Sequence, residues 1–136
     1  MISKDDIIFK PYNTPNKNWG FENFQHVVKF SNNINWIQVG LPKDKELLGV
    51  IDCYNTTTLR ELFYLTSQAK FVLAEEGLLN HISSAFKTKS YVVHSGFSQV
   101  SLSHYKNTVL ISNHSACEFA PCWRLEECGV KNKPCI

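Results

Sequence analysis

The chain has 136 residues, 43% of them hydrophobic, which is enough for one domain with its own core. Fourteen Lys and Arg face twelve Asp and Glu, a net charge of +2 with no long run of either sign, so a nucleic-acid footprint is not expected. No apolar run reaches the length of a membrane span, and the charged opening Met1-Ile-Ser-Lys-Asp-Asp6 is neither a signal nor a transit peptide, so a cytoplasmic chain is expected.

In chain order, Asp6–Lys10 is a short apolar run stopped by Pro11 and predicts a first strand. Residues 12–20 form a polar loop rich in turn residues. Phe21, Phe24, Val27 and Val28 recur at helical spacing and predict an amphipathic helix ending near Ser31. Ile34–Gly40 reads as a second strand, Leu41–Glu46 as a charged loop and Gly49–Tyr54 as a short third strand. Thr58-Leu-Arg-Glu61 has the form of a capping box, and the helix it opens is expected to send Leu59, Leu62, Phe63 and Thr66 to the core. Lys70–Glu75 is continuously apolar up to its end, as a strand buried on both faces should be. Gly77–Phe86 predicts a helix, Ser90–His94 a fifth strand, residues 97–105 a loop or short helix, and Thr108–Ser112 a sixth strand. After Asn113 the periodicity stops.

Strands alternating with helices argue for βαβ units and right-handed crossovers. The expected fold is a Rossmann-like three-layer α/β/α sandwich with a parallel sheet over residues 1–113, with a cysteine-rich tail, 114–136, packed on it. The stretch Phe71–Phe86 is the candidate for a ligand site. It is a buried strand that breaks at Glu76-Gly77 and restarts as a helix, and open α/β sheets bind ligands at such carboxyl ends, where helix N–H groups await anions.

The ordered set of motifs carries a resemblance. Lys17-x-Trp19 follows the first strand, Gly40 ends the second, and Thr58-Leu-Arg-Glu61 opens a helix. Then come Glu76-Gly77, His81-Ile-Ser-Ser-Ala85, Val92-Val-His-Ser-Gly96 and Cys117-x4-Cys122-Trp123. Together they resemble the C-terminal, donor-binding half of the family 9 glycosyltransferases, the group of the ADP-heptose:lipopolysaccharide heptosyltransferases, over nearly the whole chain. That family has two Rossmann-like domains with the active site between them, the GT-B fold. The resemblance implies that Lys17 meets the donor diphosphate, that Glu76 and Gly77 lie near the donor sugar, and that His81 and Gly96 match two further family positions. It also places Asp44 near a ribose. The family commonly reads Asp-Ser/Thr-Gly where this chain has Glu76-Gly77-Leu78, so the carboxylate is one methylene longer and a glycine is replaced by a residue with a Cβ. The acceptor-binding domain and its catalytic base have no counterpart in this chain.

The implied chemistry is donor binding and leaving-group stabilisation without a catalytic metal. Lys17 supplies positive charge, the helix start supplies N–H donors, Glu76 accepts from sugar hydroxyls and His81 holds a phosphate or a neighbouring side chain. Each residue has a plainer reading: Lys17 a solvated loop lysine, Trp19 a packing residue, Glu76 a helix-dipole partner, and His81 a half-buried histidine beside Leu78 and Ala85. Glu61 is assigned to capping alone, and His26, His104 and His114 receive no role.

Cys117, Cys122, Cys128 and Cys135 cluster in the tail, and Cys53 stands apart as a small buried residue. Four thiols in a reducing compartment fit tetrahedral zinc or iron, and Arg124, Lys131 and Lys133 among them would lower thiol pKa values. The spacing lacks Cys-x2-Cys knuckles, so two disulfides or free thiols stay open alternatives. The resemblance adds that some relatives, heptosyltransferases modifying bacterial autotransporters, carry a four-cysteine iron site. Two functions are therefore expected to compete, with a different α/β binding domain that shares only topology as a weaker third. One is the donor half of a glycosyltransferase that takes an ADP-heptose-like nucleotide sugar and needs an N-terminal domain or partner chain for turnover on a lipopolysaccharide, glycan or protein acceptor. The other is a non-catalytic module of the same fold that binds a protein partner.

Overall fold

The computed structural model describes residues 7–9, 15–41, 44–124, 126, 128–130, 132 and 134–136, the first three by backbone alone. The predicted stop at Pro11 and the tail lysines Lys131 and Lys133 lie outside the described residues. Among the described residues six strands form one parallel sheet: β1 (Ile7–Phe9), β2 (Trp36–Gln38), β3 (Ile51–Asp52), β4 (Phe71–Glu75), β5 (Lys89–His94) and β6 (Thr108–Ser112). Their order is β3-β2-β1-β4-β5-β6, so the chain reverses direction across the sheet between β1 and β4. This switch point opens a crevice at the carboxyl ends of those two strands.

Three helices connect the strands: α1 (Phe21–Phe30), α2 (Leu59–Gln68) and α3 (Leu78–Ala85). The pleat sorts the core into two layers. Phe24 and Val28 of α1 pack with Trp36, Leu47 and Leu73 on one face. Leu65 of α2 and Leu79 of α3 pack with Ile37, Val39, Val72 and Ala74 on the other. Trp36 and Phe71 continue the first layer to Tyr91 through edge-to-face rings, with centroids 6.0 and 5.4 Å apart. The expected three-layer sandwich is therefore present.

The capping box forms as its sequence requires. Glu61 N donates to Thr58 Oγ1 at 3.3 Å, and Thr58 N donates back to Glu61 Oε2 at 2.7 Å. The buried face of α2 differs from the expected one. Leu59 is 56% exposed and Phe63 37%, whereas Leu65 and Thr66 are buried and Leu62 is partly so. The expected set starts its stripe at the first helical residue, but Leu59 sits where the helix enters from solvent. The packed stripe begins one turn later and runs on to Ala69.

Polar contacts hold α3 to the sheet. Asn80, fully buried, donates from Nδ2 to Ser103 O at 2.8 Å and accepts at Oδ1 from Ser90 Oγ and Thr108 Oγ1 at 3.3 and 3.2 Å. These contacts span α3, β5, the loop after β5 and β6, so the start of α3 cannot shift without breaking them. After β6 a 3-10 turn (His114–Ala116) opens the tail, which returns over the carboxyl end of β5. Cys122 N donates to Gly96 O at 2.9 Å and Trp123 N to Phe97 O at 2.8 Å. Asn16 Nδ2, on the loop after β1, donates to the carbonyls of Arg124 and Glu126. The tail is thus fastened to two strand ends.

Candidate functional site

The crevice at the switch point collects Lys17, Trp19, Glu75, Glu76 and the start of α3. Lys17 Nζ stands 4.7 Å from the centroid of the Phe97 ring, which meets Trp123 of the tail with 5.8 Å between centroids. The ammonium is also close enough to act on the field at His94. Lys17 is therefore held at the carboxyl end of β5, beside the turn into α3, rather than swinging in solvent. Trp19 fulfils its packing reading: its ring meets Phe24 edge-on at 5.0 Å, and its backbone N–H donates to Glu75 Oε1 at 2.5 Å.

Glu76 is only 1% exposed. Its carboxylate turns inward, accepting from Ser95 Oγ at 2.8 Å and from Ser98 Oγ at 2.5 Å. His94 Nε2 lies 3.1 Å from Glu76 Oε2, a close contact outside hydrogen-bond alignment. The other nitrogen of His94, Nδ1, is 2.9 Å from His114 Nε2. Burial holds His94 below the ordinary histidine range, with Glu76 and the Ser95 carbonyl pulling the other way. So the side chain expected to meet sugar hydroxyls is engaged beneath the turn, and what the turn presents outward is backbone.

That backbone suits an anion. Gly77 caps α3 without a side-chain hydrogen bond, and the first turn holds no acidic residue. Asn80 N and His81 N bond back to Gly77 O, which leaves the earlier N–H groups as the positive end of the helix. His81 is exposed. Its Nδ1 is 2.6 Å from Tyr105 Oη, and the two rings meet edge-on at 5.7 Å.

On the β2 side of the crevice lies a cavity of about 290 Å³, lined by Val39, Gly40, Leu41, Leu62, Leu78 and Leu79 among others. Leu78, the residue in place of the family's glycine, gives this cavity part of its apolar wall. Asp44 braces the Gly40–Leu41 corner that lines it: Leu41 N donates to Asp44 Oδ2 at 2.5 Å, and a Cβ on Gly40 would collide with that carboxylate. Asp44 Oδ1 is buried with no hydrogen-bond partner among the described residues. Gly96 is placed differently. A Cβ there would stand 2.9 Å from both Ala120 Cβ and Cys135 Cβ, so its missing side chain is the seat of the tail.

The four tail thiols are free, and so is Cys53, which is half-buried with its thiol pushed up first by burial and then by Asp52. Cys122 and Cys135 both meet Gly96, whereas Cys128 lines a separate surface pocket with Asn18 and Trp19. Among the described residues no three His, Cys, Asp or Glu side chains are grouped as a metal ion requires, so these positions do not form a four-thiolate cage. Sequence reasoning left two site residues without roles, His94 and His114. His94 ends a strand beside Ser95 and Ser98, a signal that was available. Nothing local marked His114, which lies beyond β6.

No family pattern and no curated protein matches the sequence. Solved structures do match the fold. The heptosyltransferase WaaC of E. coli, solved with ADP-2-deoxy-2-fluoro heptose, aligns with a TM-score of 0.68 at 18% identity, over 80% of this chain and 37% of that one. The iron-containing dodecameric glycosyltransferase TibC of enterotoxigenic E. coli aligns at 0.75 and 18%, over 90% of this chain and 34% of that one. A family 9 glycosyltransferase of Veillonella parvula aligns at 0.68 and 14%, over 82% and 36%. The chain spans about a third of the length of each. Its fold is that of one Rossmann-like unit of the heptosyltransferase-like family 9 glycosyltransferases.

Proposed function

We propose that this chain is the donor-binding unit of a glycosyltransferase and takes a nucleotide-diphosphate sugar of the ADP-heptose type at its switch-point crevice. The observation that carries the reading is the division of the crevice. An apolar cavity at the ends of β2 and the starts of α2 and α3 suits a nucleobase. The uncapped α3 start and Lys17 suit a diphosphate. Lys17 then stabilises charge on the leaving diphosphate, with the α3 N–H groups as its neutral partners and no catalytic metal. Asp44, buried behind the Gly40–Leu41 corner of the cavity, is the candidate ribose contact from the family resemblance. Gly77 contributes backbone, and His81 contributes Nε2 on the solvent side. Its ring is turned by Tyr105. Glu76 acts from below. The base for the acceptor hydroxyl comes from an acceptor-binding domain outside this chain. The order of elements supports that arrangement, because the crevice opens at one end of the sheet and would face such a domain.

For the tail we propose that Cys117, Cys122, Cys128 and Cys135 serve as structural ligands of zinc or iron after a rearrangement from the positions described. The chemistry of four clustered thiols supports it, as does the iron content named for TibC.

The test is calorimetric titration of the folded chain with ADP, with UDP and GDP as controls, repeated on Lys17→Ala. Saturable ADP binding that weakens about tenfold in the variant is expected, the scale of one lost charge-assisted hydrogen bond. No heat with any nucleotide would instead favour the non-catalytic module that binds a protein partner.

A further inference from the structure

Behind the turn into α3 lies a file of three side chains from three successive strand ends: Glu76 after β4, His94 at the end of β5 and His114 after β6. His94 is fully buried, and the charged or titratable groups facing it are Glu76, His114 and Lys17. Its Nδ1 lies 2.9 Å from His114 Nε2 and 2.9 Å from Ser95 O, and His114 Nε2 is itself 2.6 Å from Ser95 O. Three polar atoms at these spacings are served by one proton. A hydrogen on His114 Nε2 donates to Ser95 O and His94 Nδ1 together, as a three-centre bond. The proton of a neutral His94 then sits on Nε2, against the carboxylate of Glu76 at 3.1 Å. The opposite tautomer would set a buried lone pair against a carboxylate oxygen and two N–H groups against each other.

The consequence reaches the donor turn. Glu76 immediately precedes Gly77, and its own N–H donates to Val93 O at 3.2 Å. With its carboxylate accepting from Ser95 and Ser98 and packed against the His94 ring, Glu76 has little freedom in either backbone or side chain. Resting on the donor-binding reading above, we propose that His94 is the positioning residue of this turn, oriented by His114: it fixes the Glu76 carboxylate and thereby aims the N–H groups at the start of α3 toward the diphosphate. His94 touches no ligand in this arrangement. Because His114 opens the tail, the tail and the donor turn share one file of side-chain contacts.

Three variants separate the two sides of the ring. His94→Gln places an amide near the Nε2 position and keeps the Glu76 contact. His94→Asn mimics Nδ1 and keeps only the His114 contact. His94→Leu removes both. ADP affinity by calorimetry is expected to fall about tenfold in the Asn and Leu variants, the scale of one hydrogen bond to a charged group, and to be largely recovered by Gln. Nitrogen shifts of the wild-type imidazoles are expected to report His94 as the Nε2–H tautomer, a readout that remains if a variant fails to fold. Unchanged affinity in a folded Asn or Leu variant, or an Nδ1–H tautomer, overturns the proposal. If the wild type binds no nucleotide, the donor reading fails by itself. The positioning role is then read from the amide resonances of Gly77, Leu78 and Leu79. They should move in the Asn and Leu variants and stay in Gln, and no movement overturns it.

Discussion

Gly96→Ala separates two roles for that glycine. The new Cβ would stand 2.9 Å from Ala120 Cβ and Cys135 Cβ and 3.1 Å from Cys135 Sγ. Carbon atoms rest at about 3.5–4.0 Å, so the overlap is roughly 0.6–1.1 Å against two groups at once. Overpacking of this kind costs about 1–3 kcal/mol. Either β5 or the tail must yield. Strand β5 is paired with β4 along one side and β6 along the other, so moving it breaks two ladders. The tail is held here by two main-chain bonds, from Cys122 to Gly96 and from Trp123 to Phe97, each contributing about 0.5–1.5 kcal/mol. The tail is therefore expected to lift. Thiol-labelling rates at Cys122 and Cys135 should rise, Trp123 fluorescence should shift, and Tm should fall by roughly 3–10 °C. If labelling, fluorescence and melting all match the wild type while ADP affinity falls, Gly96 serves phosphate approach rather than tail packing, and the argument from steric overlap is wrong.

Thr58→Ala removes the hydroxyl half of the capping box, leaving the backbone N–H to Glu61, and should cost about 1 kcal/mol, read in a denaturant melt. Glu61 is held below the usual carboxylate range, first by the Thr58 hydroxyl and then by the Thr58 N–H. The unfolded chain therefore binds more protons as pH falls, and the contribution present at neutral pH disappears through the carboxylate range. Stability should depend less on pH in Thr58→Ala, and equal slopes for the two proteins would count against the linkage. Asn80→Ala leaves Ser103 O and the Ser90–Thr108 pair without their amide partner in a buried site, and should cost about 2–3 kcal/mol. A loss below the error of the melt would show that water replaces the amide. Elemental analysis of the purified chain should find about one zinc or iron per chain, and a chelator should lower Tm, the signature of a structural thiolate site. A metal-free protein with an unchanged melt would leave the thiols unligated.

The sheet was legible because its strands announce themselves locally. Val72, Leu73 and Ala74 are buried on both faces of β4, and a run without polar interruption is what such a strand must look like. Residues Thr108–Ser112 were read at their observed bounds, and the Thr58–Glu61 box carries its own geometry in four consecutive residues. The face of α2 was misread because spacing gives a helical stripe its period but not its starting point. Leu59 fits the period, yet it lies at the mouth of a cavity rather than under the helix. Site residues divide the same way. The strand end, the helix start and the glycine turn are neighbours in sequence, so Glu76, Gly77 and Leu78 could be placed at the crevice before any fold was known.

The side chains that decide what those residues do come from elsewhere. Whether Glu76 faces a ligand or the interior depends on Ser95, Ser98 and His94, which reach it only because β5 pairs with β4 in the observed register. How the His94 ring is held against Glu76 depends in turn on His114, twenty residues further on and carried there by β6. A carboxylate at a helix start is by itself a weak signal, since its dipole contribution of roughly 0.3–1 kcal/mol serves structure as well as function. The same carboxylate kept buried by two hydroxyls and an imidazole is a commitment, because burial of an ionised group is tolerated only where its partners are in place. Three strand ends supply those partners, so the turn into α3 is held by the order of the sheet and not by the residues of the turn itself.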